Sequence, residues 1–444
     1  GDGGFAQASQ SFTDNSWNHI VVTWDVTGGG VTNGIKIYLN GSLAAQGNSS
    51  EGFNSARDLA IGVNEDEGGD RHHFSGSIDN VRIFASELSP ANVTSLYNEK
   101  PETDTSNFKA ILYKGTSASQ YISNVGMDLE TSGGLVWIKN RDQADNHTLV
   151  DSVRGISTSG TKYIASNTTD DEDISTNMPV SLEKNGFFVQ GVAGVTNTSG
   201  EDYVSWVFKG GGTAVQNNDG TINGANCMVS ANAAAGFSIV NYVGTGSSGA
   251  TFGHGLGAKP DLILIKNRDH NTNYHWTVYS NTSATGATGL LYLNETDAFT
   301  TTSSRFNDTE PTTSVVTLGN DGTVNQSGDD HIAYCFTSIT GYSSIGVYDG
   351  DNSTSGNITT TGFQPSFLLI KNISNSSSTH WGMFDNRRDT TNPNTGRLLA
   401  NLNNAESTTD SNWSFNFLSN GFEPLVNSNQ INASGSTYLY LAIK

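Results

Sequence analysis

The sequence predicts an all-β chain of tandem antiparallel β-sandwiches, and three observations predict it. Of 444 residues, 50 are glycine and only 15% are charged, which leaves little material for long surface helices. Short apolar runs are separated by Gly, Asn, Ser and Thr, the punctuation of brief strands and tight turns. One hydrophobic strand closed by Ile-Lys-Asn is written three times, as Leu135-Val-Trp-Ile-Lys-Asn140, Leu262-Ile-Leu-Ile-Lys-Asn267 and Phe367-Leu-Leu-Ile-Lys-Asn372.

The flanks of that strand recur as well, which separates a true repeat from a chance tripeptide. Gly236-Phe-Ser-Ile-Val-Asn-Tyr and Gly341-Tyr-Ser-Ser-Ile-Gly-Val stand the same distance ahead of Lys266 and Lys371, and Asn107-Phe-Lys-Ala-Ile-Leu-Tyr precedes Lys139 at nearly that distance. Downstream follow His147-Thr-Leu-Val, His275-Trp-Thr-Val and His380-Trp-Gly-Met, whose histidines line up in this reading. Each copy ends on a strand: Tyr203–Lys209, His331–Thr337 and Tyr438–Lys444. The repeats therefore run over 107–209, 236–337 and 341–444. About a hundred residues suffices for a domain with its own core, so three separate sandwiches, beads on a string, are expected. Residues 210–235 read as a flexible connector, whereas almost nothing separates the second and third repeats.

Within the second repeat the strands are expected at Phe237–Val243, Asp261–Lys266, His275–Tyr279, Gly289–Leu293, Ser314–Leu318 and His331–Phe336. The strand ending in Ile-Lys-Asn is apolar on both faces and so belongs in the middle of its sheet. Ile138, Ile265 and Ile370 should be buried in equivalent places, with Trp206, Tyr334 and Leu441 equivalent on the closing strand.

Residues 1–100 alternate strands and turns. Trp17-Asn-His-Ile-Val-Val-Thr-Trp24 is followed by Gly34-Ile-Lys-Ile-Tyr-Leu-Asn-Gly41, Leu59–Gly62 and Phe74-Ser-Gly-Ser-Ile-Asp-Asn-Val-Arg-Ile-Phe84. Ile35, Ile37 and Leu39 share one face by the period of two, and Asn40-Gly41 is a hairpin turn signal. The order of these phrases, closed by Leu-Ser-Pro-Ala, resembles the second half of a laminin-G-like, concanavalin-A-type jelly roll. Family members have further strands before the tryptophan, so residues upstream of Gly1 are expected. Residues 101–106, polar and carrying a proline, read as a linker.

The three-copy region, with Gly-Leu-Val-Trp-Ile-Lys-Asn-Arg, Asp-Ser-Val-Arg-Gly and His-Gly-Leu-Gly-Ala-Lys-Pro, is similar to an unnamed region common in tailed phages, especially marine ones. There it often follows a laminin-G-like module in proteins assigned as tail fibres or other virion appendages. The resemblance implies a location in the virion after assembly in the host cytoplasm, with host surface glycan or receptor and other virion proteins as partners.

Net charge is −21 and spread along the chain, which argues against binding nucleic acid phosphates. No run is long enough to insert in a membrane as a helix. Cys227 and Cys335 cannot frame a disulfide scaffold; Cys335 takes the place of Val207 and Ala442, a small buried thiol on a strand face. Glycoside hydrolysis needs two carboxylates projecting from one strand face, and Phe74–Phe84 offers only Asp79; no enzyme is expected. In Asn64-Glu-Asp-Glu-Gly-Gly-Asp70, oxygens gathered on a glycine-tight turn suit a hard cation, so Glu65, Asp66 and Asp70 are the candidate calcium ligands, against the alternative of a solvated acidic loop. His72 and His73 point to opposite faces of a strand and cannot share a zinc ion. His147, His275 and His380 recur without a nucleophile, which favours packing over catalysis. Lys139, Lys266 and Lys371 each end a buried strand, where an ammonium reaches water or caps a turn. The sequons at Asn92, Asn146, Asn167, Asn281, Asn294, Asn352 and Asn412 are what chance gives in so Asn-rich a chain.

The function expected from sequence is a structural or host-recognition protein of a phage virion whose lectin-like module contacts glycan, assembled as a homotrimer for avidity. A bacterial adhesin or extracellular filament subunit is the alternative, and a carbohydrate-active enzyme comes third.

Overall fold

A computed structural model describes residues 18–25, 31–49, 63–65, 71–73, 78, 81, 83, 87–98, 106–191, 194–375 and 378–444. The chain forms two compact units, Gly1–Glu102 and Thr103–Lys444.

In the first unit Ile20–Trp24, Val31–Leu39 and Ser42–Ser49 form an antiparallel sheet in that order. The expected hairpin turn is present: Asn40 and Gly41 both have positive φ, 51° and 79°, as a two-residue turn matching strand twist requires. A Cβ on Gly41 would stand 2.7 Å from Cδ1 of Tyr97, so glycine is needed there twice over. Tyr97 lies on a helix, Pro90–Asn98, that a strand-only reading overlooked. Its signal was in the sequence: Ser89 Oγ accepts from the Asn92 amide at 3.2 Å, ahead of a proline at the first helical position. Of the expected strand 74–84, the described residues Ile78, Val81 and Ile83 lie in no strand. The expected strand 59–62 and Asp79 lie outside the described residues.

The second unit holds three large antiparallel sheets in which one pairing recurs. In each, the Ile-Lys-Asn strand lies between the closing strand and a downstream hairpin partner. Gly134–Asn140 lies between Asp202–Lys209 and Thr148–Asp151, Leu262–Asn267 between Asp330–Phe336 and Thr277–Ser280, and Phe367–Asn372 between Thr437–Ile443 and Gly382–Asp385. The central placement read from two-faced hydrophobicity is what the sheets have. Registers coincide too: Trp206 faces Trp137, Tyr334 faces Leu264 and Leu441 faces Leu369. The strands expected in the second repeat occur within two residues of their predicted bounds.

The expectation of three separate beads is overturned. Alternation along each central strand sends Trp137, Leu264 and Leu369 into one core shared by all three repeats. Ile138, Ile265 and Ile370, all fully buried, point the other way into three private cores. Each private core is closed by a small outer sheet: Gln120–Ile122 with Pro179–Glu183 and Gly186–Val189, Thr251–Gly253 with Val315–Thr317, and Thr359–Thr360 with Phe415–Leu418 and Gly421–Pro424. The connector 210–235 is likewise structured. Val215–Asn217 and Gly224–Asn232 add two strands to the edge of the second sheet, because Cys227 and Val229 alternate into its private core.

The repeats contact one another cyclically. Glu172 of the first donates its amide to Arg268 O of the second (2.8 Å), Phe299 of the second to Ile373 O of the third (2.9 Å), and Glu406 of the third to Arg141 O of the first (2.8 Å). Side chains reinforce two of these junctions: Glu172 takes Arg268 at 2.6 and 2.8 Å, and Glu406 takes Arg141 at 2.6 and 2.8 Å. At the remaining junction Phe299 and Ile373 supply apolar contact to the shared core instead.

Two outcomes are expected from this architecture. A single repeat, 236–337, made alone would expose Phe237, Ile239, Leu262, Leu264, Tyr334 and Phe336; at about 1.5–3 kcal/mol for each large side chain the loss rivals the about 5–15 kcal/mol that holds a whole domain. It should show no cooperative unfolding transition by circular dichroism, and a sharp transition would contradict the shared core. Glu172→Ala takes from the Arg268 guanidinium, 4% exposed, the carboxylate it is hydrogen-bonded to and leaves it only the Asp330 carboxylate at 3.7 Å, and should lower unfolding free energy in urea by about 3 kcal/mol.

Candidate functional site

Of the acidic run in the first unit, Glu65 lies on the strand Val63–Glu65, which pairs with Arg71–His73 and sets Glu65 opposite Arg71 in the backbone register. Asp66 and Asp70, two of the three candidate calcium ligands, lie outside the described residues. Among the described residues, no three His, Cys, Asp or Glu side chains converge as a metal site.

In the second unit the recurring polar residues gather where the Ile-Lys-Asn strands end. Lys139, Lys266 and Lys371 are fully buried, so the ammonium caps a turn and does not reach water. Lys266 Nζ donates to Asn267 O (2.9 Å), His270 O (3.4 Å) and, across the junction, Thr169 O of the preceding repeat (3.1 Å). Lys371 Nζ repeats this with Asn372 O, Thr379 O and Thr296 O of the preceding repeat at 2.8–3.1 Å. Lys139 Nζ donates to Asn140 O and Gln143 O. Burial pushes these amines down to about 8, 8 and 7, while a ring of carbonyl oxygens, acceptors only, favours the protonated form. The following asparagines complete the turns: Asn140 Oδ1 accepts from the amides of Asp142 and Gln143, and Asn372 Oδ1 from those of Ser374 and Asn375.

The histidine alignment needs correction by one residue. Thr148, Thr277 and Gly382 occupy the same register opposite Ile138, Ile265 and Ile370, so His147 corresponds to Trp276 and Trp381, and Asn146 to His275 and His380. The polar contacts agree. Trp276 Nε1 donates to Ala165 O and Trp381 Nε1 to Tyr292 O, each 2.8 Å, and His147 Nε2 lies 3.0 Å from Leu399 O. In every case a ring N–H crosses to a carbonyl of the neighbouring repeat. None of the three histidines faces a nucleophile; His275 and His380 meet the side-chain amides of Asn294 and Asn401.

Those asparagines form a third series, which sequence reasoning missed. Asn167, Asn294 and Asn401 accept, through Oδ1, the amides of His147, Trp276 and Trp381 at 2.9–3.1 Å. The signal was present, since each asparagine precedes the junction residue Glu172, Phe299 or Glu406 by the same interval. Two of them had been noticed only as sequons. A cleft of about 340 Å³ lies between the first repeat and the connector, lined by Glu130, Thr131, Ser152, Ser181, Leu182 and Thr213. Three of its hydroxyls are already bonded, Thr131 to Asp128, Ser152 to the Gly134 amide and Ser181 to Glu183.

This arrangement fastens strand ends and binds repeats to one another. Lys266→Met removes a buried charge, which is favourable, but orphans three carbonyls at about 1 kcal/mol or more each. The acceptors outnumber the relief, so a net loss of about 2 kcal/mol is expected in chemical denaturation at neutral pH, and an unchanged midpoint would count against the capping role.

Comparison with known families agrees with the two units. A model of the concanavalin A-like lectin/glucanases superfamily matches residues 1–94. No curated protein matches the chain, and no solved structure does. A model described as a domain of unknown function, DUF7483, matches residues 103–444, well over half of the sequence and the whole three-sheet body, and the chain therefore belongs to the DUF7483 family.

Proposed function

We propose that this protein is a non-enzymatic virion appendage of a phage, a tail fibre or related structure, in which the concanavalin A-like module contacts host surface glycan. One observation carries the reading: a lectin-like module is joined to a body whose recurring polar side chains are engaged in closing strand ends and in holding the three repeats together. A body whose recurring chemistry is spent internally serves as a support, and recognition falls to the other module. The loops at the ends of the repeats support this division. Asn271-Thr-Asn-Tyr274 and Ser374-Asn-Ser-Ser-Ser-Thr379 follow equivalent strands with different residues, whereas three equal receptor sites would need the same polar groups. Weak contacts of single lectin sites gain strength from copies on one axis, so the reading includes a homotrimer and docking to other virion proteins. It also keeps calcium at Glu65, Asp66 and Asp70 as an aid to the module's loops.

Removing residues 1–100 should abolish adsorption of the purified protein to host cells while leaving residues 103–444 folded. Undiminished adsorption by the truncated chain would place recognition in the repeats and sink the assignment. Mass photometry at working concentration tests the assembly, for which three chains are expected and a stable monomer would refute the trimer.

A further inference from the structure

The ring of repeats is closed by three junctions that differ in how they are backed. The first and second repeats are joined by residues 210–235, and the second and third by Ser338–Tyr342. No peptide connection runs from the third to the first, so that contact is held by side chains and single hydrogen bonds alone. It is also the junction where histidine stands in the place of tryptophan.

We propose that the junction between the third and first repeats is an acid-sensitive seam, at which the ring opens while the other two junctions stay closed. His147 is buried at this junction, 1% exposed. Trp137 Nε1–H donates to its Nδ1 at 2.9 Å, which fixes Nδ1 as the acceptor and leaves Nε2–H to donate to Leu399 O at 3.0 Å. A second proton can enter only at Nδ1, and there it would confront the indole N–H. The ring also stacks on Trp206, centroids 6.5 Å apart. The charged groups around it oppose a new cation: Lys139 of its own sheet and Arg388 of the third repeat both disfavour it, and only the carbonyls of Leu399 and Leu402 favour it. Arg388 is itself locked between Asp385 and Glu406, and Asp385 accepts from Trp206 Nε1 at 3.0 Å. Protonation of His147 with the junction closed therefore costs the Trp137 contact and sets a cation beside Lys139 and Arg388, with the Leu399 bond alone to offset them, whereas an opened junction lets the charged ring reach water. Burial first, then these cations, hold the imidazole down at about 3. A folded value below the unfolded one of about 6.5 means that the unfolded or opened state binds the extra proton, so closure weakens as pH falls from about 6.5 towards 3. At the corresponding places of the other junctions Trp276 and Trp381 make the same N–H to carbonyl bond and cannot titrate.

Hydrogen exchange of the full chain, read by mass spectrometry from pH 7 to pH 3, tests this. Peptides spanning Glu406 and His147 should lose protection at a pH about one unit higher than those spanning Glu172 and Arg268. His147→Trp restores the residue of the sister repeats, and His147→Gln keeps an acceptor and a donor without a titratable ring; either should bring the seam down to the pH of the other junction. His331→Tyr is the control, because His331 lies within the second repeat, is held at about 4 chiefly by burial, and corresponds to Tyr203 and Tyr438. It should leave the seam where it is. Simultaneous loss of protection at both junctions in the native chain, an unmoved seam in both His147 variants, or an equal shift in His331→Tyr would each overturn the proposal.

Discussion

The second unit depends on one constraint: its three central strands are buried on both faces. A strand with one wet face can end anywhere along water, but a strand with none must satisfy every polar group at its end from within the protein. Ile-Lys-Asn answers that need. The isoleucine fills the private core, the lysine collects the loop carbonyls, and the asparagine turns the chain by accepting the next amides. Because the lysine of the second and third repeats also takes a carbonyl of the repeat before it, closing one strand end fastens two repeats. Local termination and long-range assembly are here the same interaction.

This explains why three repeats with divergent loops keep one architecture. Most bonds across the junctions use backbone atoms on at least one side: Ala165 O, Tyr292 O and Leu399 O as acceptors for the ring N–H groups, and the amides of Glu172, Phe299 and Glu406 as donors. A carbonyl is present whatever residue bears it, so alanine, tyrosine and leucine serve equally. Side chains then vary by junction. Tyr334 reaches Asp151 and Trp206 reaches Asp385, while Leu441, their equivalent in the third repeat, has no hydroxyl or indole to offer. The apolar junction follows the same replacement, with Phe299 and Ile373 where the others have glutamate and arginine.

Much of the fold was legible because the signals were side chains in a row. Alternation placed the strands, two-faced hydrophobicity placed the central one, and recurrence gave the register of Trp206, Tyr334 and Leu441. Cys335 was readable as a buried thiol from its sister residues, and it is fully buried with its thiol pushed up to about 12 by that burial. What could not be read was where the second apolar face goes. A both-faced strand fits the middle of an isolated sandwich as well as a wall between two cores, and only the closed ring distinguishes them. The one-residue error at His147 has a related cause. Identity favoured matching histidine to histidine, whereas the structure matches an N–H donor to an N–H donor.

The same reasoning bears on how the two units divide their tasks. In the DUF7483 body, the lysine, asparagine and ring N–H series that sequence comparison between repeats brings out are all consumed at strand ends and junctions, and burial removes them from solvent. Recurrence inside this chain thus reports on the ring. The concanavalin A-like module stands outside that recurrence, since it occurs once. On that argument the internal repetition is itself a reason to look for recognition outside the repeats.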